Sequence, residues 1–176
     1  MASRTEAGRV HLLDLACGTG RHVSAVLHTD AAADIVITAA DINTASLETL
    51  RQRLAEQEDV RLVAVDLEQD GLVLGEVLGR RRFDIVMVTN YLHRPLLGQI
   101  FRLVSPGGLL LYETFGQGQE AYGKPSNPAF LLGETELAAA LPDAFSVMHH
   151  FFGQRQTLYP DRPPAIICQL AARRTS

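Results

Sequence analysis

Runs of apolar residues alternate along the chain with segments in which apolar residues recur at helical spacing. Five of these runs predict buried strands, over residues 10–16, 34–41, 61–66, 83–90 and 109–114. Most are continuously apolar rather than alternating, which is typical of parallel strands covered on both faces. Strands that alternate with helices predict a doubly wound, mostly parallel α/β sheet.

The segments between the strands carry helix signals. Residues 44–57 place leucines on one stripe, and Asn43 or Thr44 is a suitable N-cap for this helix. A further helix is expected to begin near Pro95, because proline is tolerated in a first helical turn. The run Ser105-Pro106-Gly107-Gly108 is expected to end that helix and to turn the chain into the fifth strand.

The last third of the chain has a different rhythm. Residues 116–133 are rich in Gly, Pro, Asn and Gln and predict a long loop, and loops of this length usually carry function. We expect this loop to form a lid, with its Phe130–Leu131 pair packed in the core. A short helix over 134–141 follows. Residues 144–156 and 165–171 then predict two strands that pair as a hairpin, because no helix lies between them.

A tight glycine loop follows the first strand. Asp14 is followed by Leu15-Ala16-Cys17-Gly18-Thr19-Gly20 and then by helical spacing over 21–28. Gly18 and Gly20 carry no Cβ, so backbone amides can approach a ligand closely. An acidic side chain beside such a loop would repel a bare phosphate. The pattern therefore favours a zwitterionic or cationic ligand.

A dinucleotide-binding loop is the competing interpretation of this segment. Its fingerprint, G-x-G-x-x-G, requires a third glycine, but Gly20 is followed by Arg21, His22 and Val23. A nicotinamide-dependent oxidoreductase is therefore the weaker hypothesis, and it predicts that the protein binds a dinucleotide.

The motif from Asp14 to Gly20 resembles the first motif of class I S-adenosylmethionine-dependent methyltransferases. Two later blocks resemble a narrower group of small, single-domain bacterial members, namely Thr89-Asn90-Tyr91-Leu92-His93-Arg94-Pro95 and Pro106-Gly107-Gly108 running into Glu113-Thr114-Phe115. The resemblance extends from about Val10 to Ala171. It implies a seven-stranded Rossmann-like sheet with one antiparallel strand in a C-terminal hairpin, within a single domain over residues 1–176. It also implies S-adenosylmethionine as cofactor and S-adenosylhomocysteine as product.

The same resemblance assigns parts of the cofactor to residues at the carboxyl ends of the strands. Asp14, with the amides around Ala16, Gly18 and Gly20, is expected to face the methionine moiety. Asp41 is expected to accept hydrogen bonds from both ribose hydroxyls, since a carboxylate offers two acceptor oxygens. An aspartate in such a position is also a common N-cap of the following helix. Three of them after three strands favour cofactor binding.

The adenine end of the cofactor is expected at the second and third strands. Ile42 would pack against the adenine ring, Asp66 would accept from the exocyclic amine, and the Leu67 amide would donate to a ring nitrogen. Asn90, at the end of the fourth strand, is expected near the amino-acid part of the cofactor. Cys17 lies inside the loop, where its small size suggests a structural role rather than a nucleophile.

The acceptor side is expected around the ends of the fourth and fifth strands. His93 could act as general base and Arg94 could bind an anionic acceptor, whereas both could instead pack on the following helix. Tyr91 is a further candidate for acceptor contact. Glu113 could steer a cationic nucleophile, accept its proton or order Arg94. An N-P-P-Y motif of amino-methylating enzymes is absent, because prolines do not follow Asn90.

Composition and charge limit the partners. The net charge of −4 disfavours a long nucleic-acid footprint, and two cysteines are too few for a disulfide framework. No histidines have metal-ligand spacing, so we expect no metal.

The absence of a long apolar stretch or a leader-like start predicts a cytoplasmic protein. We expect a small-molecule acceptor. The alternatives are a protein or RNA acceptor with a partner subunit, or a cofactor-binding module without catalysis, and a homodimer is possible.

Overall fold

The computed structural model describes residues 8–54, 57–79, 82–155 and 164–175. Seven strands form one sheet in the order β3-β2-β1-β4-β5-β7-β6. Their bounds are β1 Val10–Leu15, β2 Ile35–Asp41, β3 Val60–Ala64, β4 Phe83–Thr89, β5 Val104–Phe115, β6 Phe145–Gln154 and β7 Ile166–Arg174. Strands β1 to β5 pair in parallel, whereas β7 runs antiparallel to both β5 and β6. The predicted doubly wound sheet with one antiparallel strand in a C-terminal hairpin is confirmed.

Helices pack on both faces of this sheet. Their bounds are α1 Arg21–Leu27, α2 Thr44–Arg53, α3 Leu74–Val77, α4 Leu97–Leu103 and α5 Glu136–Ala139. Helices α1 and α2 contribute Val23, Leu47 and Leu50 to the smaller apolar cluster, on what we name the α1 face. Helices α3, α4 and α5 contribute to the larger cluster on the opposite face, which we name the α4 face. The continuously apolar strands are explained by burial on these two faces.

Helix α2 begins as predicted but ends earlier. The side chain of Asn43 accepts a hydrogen bond from the amide of Ser46 at 3.0 Å, which confirms the N-cap. The helix ends at Arg53 rather than at residue 57, and residues 55 and 56 lie outside the described part of the chain. Strand β6 likewise ends at Gln154, and residue 156 of its predicted range is outside the description.

Strand β5 begins five residues before its predicted start. Helix α4 ends at Leu103, as expected, but the following Ser-Pro-Gly-Gly segment continues as extended chain from Val104. The pairing with β4 shifts register between Phe83 and Ile85, which accommodates this segment. A Cβ on Gly108 would lie 2.8 Å from the carbonyl oxygen of Asp84, so a close backbone approach requires glycine there. The prediction that the Ser-Pro-Gly-Gly segment ends the helix is therefore confirmed. The prediction that it forms a turn before the fifth strand was wrong, because the segment is already part of β5.

The predicted loop over residues 116–133 is fastened to the sheet by hydrogen bonds. Gly116 donates to the carbonyl of Ile166 at 3.0 Å, and Leu132 donates to the carbonyl of Phe115 at 3.0 Å. Leu131 is buried as expected, but Phe130 is 45% exposed, so the prediction of core packing was wrong for Phe130. Phe130 ends a short helical turn, Pro128–Phe130, whose N-cap Asn127 accepts from the amide of Ala129 with its side chain.

Within the described residues, none of the helices has the length and apolar character needed to cross a membrane.

Candidate functional site

A cleft lies where β1 is flanked by β2 on one side and β4 on the other, at the carboxyl ends of these strands. This is the point where strand order reverses, at which doubly wound sheets bind their ligands. It consists of two adjoining cavities. The loop-side cavity, of about 420 Å³, is lined by the glycine loop, the start of α1 and the end of β4. The β3-side cavity, of about 460 Å³, is lined by residues after β2, β3 and β4. Ala16, Asp41 and Tyr91 line both.

The two glycines of the loop have different reasons to be glycine. Gly18 and Gly20 both have positive φ, of 53° and 75°. A Cβ on Gly20 would lie 2.6 Å from the buried side chain of Leu50, so Gly20 allows α2 to pack against the loop. A Cβ on Gly18 would meet no atom within 4 Å. Gly18 therefore leaves its side of the loop open toward the cavity.

Asp14 lies on the α1 face, behind the loop and within β1. It is fully buried, and neither carboxylate oxygen has a hydrogen-bond partner among the described residues. Burial raises the pKa of Asp14, the charge of Arg21 opposes this shift and the charge of Asp41 adds to it, with a resulting pKa of about 7. A buried carboxyl without a partner is costly, so this group favours a positive charge placed next to the loop.

Asp41 ends β2 and connects the two cavities. One carboxylate oxygen accepts from the amide of Gly18 at 2.7 Å, and the other accepts from the amide of Asn43 at 2.8 Å. Each oxygen retains a second lone pair. The carboxylate is thus held in one orientation, with acceptor capacity left for two donors on a ligand.

The β3-side cavity combines an apolar wall with acidic groups. Ile42 is 62% exposed on this wall, although it is a large aliphatic residue. Asp66 is exposed and accepts from the amide of Glu68 at 2.9 Å. The Leu67 side chain is buried. This arrangement suits a flat ring with an amine donor, and it brings together the three residues predicted for adenine.

Tyr91, which the sequence predicted as a candidate for acceptor contact, lines this cavity. Its hydroxyl is buried and has no hydrogen-bond partner among the described residues. Burial raises the pKa of Tyr91, and the nearby carboxylates of Glu68 and Asp66 raise it further. Its backbone carbonyl accepts from the Tyr112 hydroxyl at 2.9 Å, which fixes the chain after β4. Tyr91 therefore remains a neutral donor facing the cleft.

Asn90 is the second non-glycine residue of the cleft with positive φ. Its φ is 54°, and that of Ala16 is 57°. Asparagine tolerates this conformation better than most residues do, whereas alanine is strained in it. The Asn90 amide donates to the carbonyl of Glu113 at 2.8 Å. Both residues line the loop-side cavity, so the strained backbone is concentrated where a ligand would bind.

Cys17 lies in the loop as a buried thiol. Burial raises its pKa to about 12, and the charges of Asp14 and Asp41 act in the same direction. The thiol is therefore protonated at neutral pH and is a poor nucleophile. This favours the structural role over the reactive one.

Arg21 and His22 also line the loop-side cavity, and the sequence analysis assigned neither of them to the site. His22 Nδ1 lies 3.4 Å from the Thr89 hydroxyl, and its Nε2 lies 3.1 Å from the Arg21 guanidinium. Burial and the charge of Arg21 lower the pKa of His22 and the charge of Glu113 opposes them in part, so the imidazole is mostly neutral at pH 7. Arg21 and His22 occupy the first helical turn after the glycine loop, and that turn faces any ligand bound to the loop. This position was the signal in the sequence that could have identified them as site residues.

Arg94 is engaged with its own chain. It contacts Glu136 at 2.5 and 3.0 Å and donates to the carbonyls of Ala129 and Leu131 at 2.6 and 2.8 Å. These bonds fasten the end of the long loop to the segment after β4. Neither Arg94 nor His93 is among the residues that line the cleft, and the carbonyl of His93 accepts from the amide of Leu96 at 3.0 Å. Acceptor binding by Arg94 and His93 stays a prediction.

We expect Arg94→Ala to loosen the loop. The substitution removes bonds to Glu136 and to two carbonyls at a half-exposed site, which corresponds to about 1–2 kcal/mol of unfolding free energy. Amide exchange at Leu132 and Gly133 should accelerate in parallel. Arg102→Ala, at an exposed position on α4, is the control. Exchange and stability equal to those of the control would contradict the anchoring role.

Glu113 points onto the α1 face near the end of β5. It pairs in register with Thr89 of β4 and with Gln169 of β7. Gln169 donates to one of its carboxylate oxygens at 2.6 Å. Glu113 is thus held by the C-terminal hairpin, and Arg94, which one alternative had Glu113 order, bonds instead to Glu136 and to the carbonyls of Ala129 and Leu131.

The described His, Cys, Asp and Glu side chains form no group of three that could hold a metal ion.

Comparison with known proteins identifies the family. A family described as a methyltransferase domain matches residues 13–110, which is more than half of the chain. The matched part contains the glycine loop, Asp41, Asp66 and the segment after β4.

Two curated relatives each match a little under two thirds of the chain. A demethylmenaquinone methyltransferase of Leptospira interrogans is 31% identical over 116 residues, which are 63% of this chain and 45% of that protein. A fumosorinone synthetase of Cordyceps fumosorosea is 31% identical over 117 residues, which are 62% of this chain and 3% of that protein. The chain spans less than half the length of these relatives.

Solved structures match the fold over nearly the whole chain. TehB from Haemophilus influenzae has a TM-score of 0.73 at 15% identity, over 96% of this chain and 59% of TehB. The N-methyltransferase NodS from Bradyrhizobium japonicum has a TM-score of 0.65 at 16% identity, over 97% of this chain and 89% of NodS. At these identities the likeness concerns the fold. Together with the family match, it leads to one conclusion: the chain belongs to the methyltransferase domain family.

Proposed function

We propose that this protein is an S-adenosylmethionine-dependent methyltransferase that acts on a small-molecule acceptor. The observation that carries the proposal is the buried carboxyl of Asp14, which has no partner among the described residues and lies behind the glycine loop. A ligand with a positive charge near the loop would supply the missing compensation.

The residues of the cleft fit this cofactor better than a dinucleotide. A pyrophosphate on the loop would bring negative charge next to Asp14 and Asp41, at the place where the charge of Asp41 already disfavours the ionised form of Asp14. S-adenosylmethionine places an ammonium and a sulfonium there instead. The carboxylate of its amino-acid part would have Arg21 at the edge of the same cavity.

The remaining parts of the cofactor have candidate partners in this chain. Asp41 would accept from the two ribose hydroxyls with its free lone pairs. Ile42 would contact the adenine face, and Asp66 would accept from the adenine amine. The buried hydroxyl of Tyr91 would gain a partner in the same cavity. Asn90 and the amides of Ala16, Gly18 and Gly20 would line the amino-acid part.

The cofactor supplies a methyl group that is already activated by its bond to a sulfonium. The protein therefore has to bring the acceptor close and align it, an effect worth up to about 7–11 kcal/mol in well-oriented reactions. A proton acceptor is needed only where the nucleophile must lose a proton, and general-base catalysis then adds about 10²–10⁴-fold.

A small acceptor is supported by the names of the relatives, which include a methyltransferase of demethylmenaquinone and an N-methyltransferase. The alternatives are a protein or RNA acceptor presented by a partner subunit, and a cofactor-binding module without catalysis. A cytoplasmic location and a possible homodimer belong to the proposal as well.

Calorimetric titration with S-adenosylhomocysteine, with NADH as the comparison ligand, tests the proposal. We expect micromolar binding of S-adenosylhomocysteine and none of NADH. Asp41→Asn should weaken that binding about tenfold, because one charged acceptor of the ribose is lost. Asp143→Asn, which removes an exposed carboxylate before β6, is the control. Preference for NADH, or no binding of S-adenosylhomocysteine by the folded wild type, would overturn the proposal.

A further inference from the structure

The α1 face of the sheet is covered unevenly. Helices α1 and α2 pack over β1, β2 and β3, where Leu12, Ile37 and Ala39 are buried. Over β5, β7 and β6 the same face carries no helix within the ranges 8–54, 57–79, 82–155 and 164–175, whereas Ile85 and Met87 of β4 still pack against the α1-face cluster. Leu111, in the middle of β5, is consequently 36% exposed. A central strand of an α/β sheet is normally covered on both faces, so an exposed apolar residue at this position indicates a surface that could bind a ligand or a partner.

A groove of about 210 Å³ occupies this part of the face. Its floor is a row of apolar side chains that are neighbours across the strands, in the order Met87, Leu111 and Ala171. His149 of β6 closes the far end. The volume lies below the 300–1,000 Å³ typical of sites for larger ligands, so the groove would accommodate a small flat body.

A second row of side chains, one pleat nearer the carboxyl ends, makes one wall polar. Its members are Thr89, Glu113 and Gln169, again neighbours in register. Glu113 carries the negative charge of the wall. One of its oxygens is occupied by Gln169, and the structure gives no hydrogen-bond partner to the other among the described residues. The wall thus offers one carboxylate acceptor above an apolar floor.

Thr89 joins this groove to the loop-side cavity, because it lines both. Its hydroxyl lies 3.4 Å from the neutral imidazole of His22, which also lines the loop-side cavity. A molecule bound in the groove with its polar end at Glu113 would therefore meet a ligand of the loop-side cavity at Thr89. The groove is separate from the segment after β4 that carries His93 and Arg94, but it includes Glu113, which the sequence had also placed on the acceptor side.

We propose that the groove on the α1 face is the acceptor subsite, and that it takes a small primary or secondary amine with a flat apolar body, whose nitrogen is held by Glu113. The inference rests on the proposed function and specifies its substrate class. The apolar floor contacts the body of the amine, and the free oxygen of Glu113 accepts from its N–H groups. An acidic acceptor is disfavoured, because its carboxylate would face Glu113.

The transfer step is balanced with these groups. The ammonium gives one proton to Glu113, from which the proton passes to solvent, and the nitrogen lone pair becomes available. A nitrogen–carbon bond then forms as the sulfur–carbon bond breaks, and the electron pair of the broken bond stays on sulfur. The nitrogen acquires the positive charge that the sulfonium loses. No oxidant or further reactant is required.

Three probes of one shape test the subsite, namely benzylamine, benzyl alcohol and benzoate. Each is titrated into the protein saturated with S-adenosylhomocysteine, at about pH 8, where the amine is protonated. Chemical shifts of the amides of β5 and β7 report binding without any need for turnover. We expect benzylamine to bind at least five times more tightly than benzyl alcohol, and benzoate not to bind, consistent with a charge-assisted bond of about 1 kcal/mol or more.

Two variants separate the charge from the apolar floor. Glu113→Gln should remove the preference for benzylamine over benzyl alcohol, whereas Leu111→Ala should weaken both probes equally. Glu58→Gln is the matched control, because it removes an exposed carboxylate just before β3, at the opposite edge of the sheet. All variants should bind S-adenosylhomocysteine like the wild type.

The outcomes are distinguishable from those of the proposed function. Failure of the wild type to bind S-adenosylhomocysteine overturns the proposed function, and the inference falls with it. Normal binding of S-adenosylhomocysteine with equal affinity for the three probes, or with a preference for amine that survives Glu113→Gln, overturns the inference alone.

Discussion

Asp14→Asn is expected to stabilise the unliganded protein at about pH 8 by roughly 4 kcal/mol. The wild-type carboxyl has its pKa raised to about 7 in the folded state, against an ordinary value of 3.8. A group whose pKa is raised by folding contributes most to stability below its unfolded pKa, and this contribution is lost as the pH rises through the folded pKa. Wild-type stability should therefore fall between about pH 4 and pH 7, because the buried carboxylate must ionise without a partner.

The asparagine variant removes this dependence. Its side chain has nearly the shape of the protonated carboxyl but does not ionise, so the two proteins should be equally stable at about pH 4 and diverge above it. Urea denaturation at a series of pH values measures the difference. Parallel curves for the two proteins would contradict the ionisation of a buried Asp14.

The same variant should bind S-adenosylhomocysteine less tightly, by tenfold or more at about pH 8, if the ammonium of the ligand is stabilised by the ionised Asp14. In the wild type, binding below about pH 7 should release a proton, and affinity should rise with pH by up to tenfold per unit. Calorimetry in two buffers of different ionisation enthalpy measures this release. A proton release that persists in Asp14→Asn would assign it to another group.

Gly20→Ala is expected to cost about 2–5 kcal/mol of unfolding free energy. The residue has a φ of 75°, and alanine in this conformation is strained by about 1–2 kcal/mol. The added Cβ would also lie 2.6 Å from the side chain of Leu50, which is fully buried and can move only by disturbing the packing of α2. Overpacking of a core typically costs about 1–3 kcal/mol more. Urea denaturation measures the sum.

Gly18→Ala is the matched control for this prediction. Its φ of 53° imposes a similar backbone strain, but its Cβ would meet no atom of the protein. It should therefore cost only the backbone part, about 1–2 kcal/mol. Because its Cβ would project into open space beside the cavity, it should weaken S-adenosylhomocysteine binding more than its stability loss suggests. If the two alanine variants were equally destabilised, the side chain of Leu50 would be able to move away from the new Cβ at no cost in free energy, and the prediction of overpacking at Gly20 would be contradicted.

The order of strands and helices was accessible from the sequence because burial on two faces makes parallel strands continuously apolar. The C-terminal hairpin was accessible because no helix separates its strands. Short elements could not be predicted from the sequence, and α3 is an example. It consists of Leu74–Val77, a single turn whose stability comes from packing in the larger cluster rather than from its own pattern.

The cofactor side of the site was predicted by position, because the carboxyl ends of parallel strands meet at one edge of a sheet. The structure brings Ala16, Asp41 and Asn90 to one cavity of the cleft in that way. The acceptor side depends on which face of the sheet is left uncovered, and that follows from packing between distant segments. Gln169 lies 56 positions from its partner Glu113, and no local pattern links them.

The position of β7 between β5 and β6 also sets the timing of assembly on the ribosome. The residues proposed to hold the cofactor have all been synthesised once translation has passed Asn90. The groove, in contrast, requires the later strand that carries Gln169. At about 5–20 residues per second, that strand emerges several seconds after the cofactor half of the sheet. Under the proposed function, a nascent chain would therefore complete the groove for its acceptor only when β7 inserts, after β5 has fixed Asn90 at the end of β4.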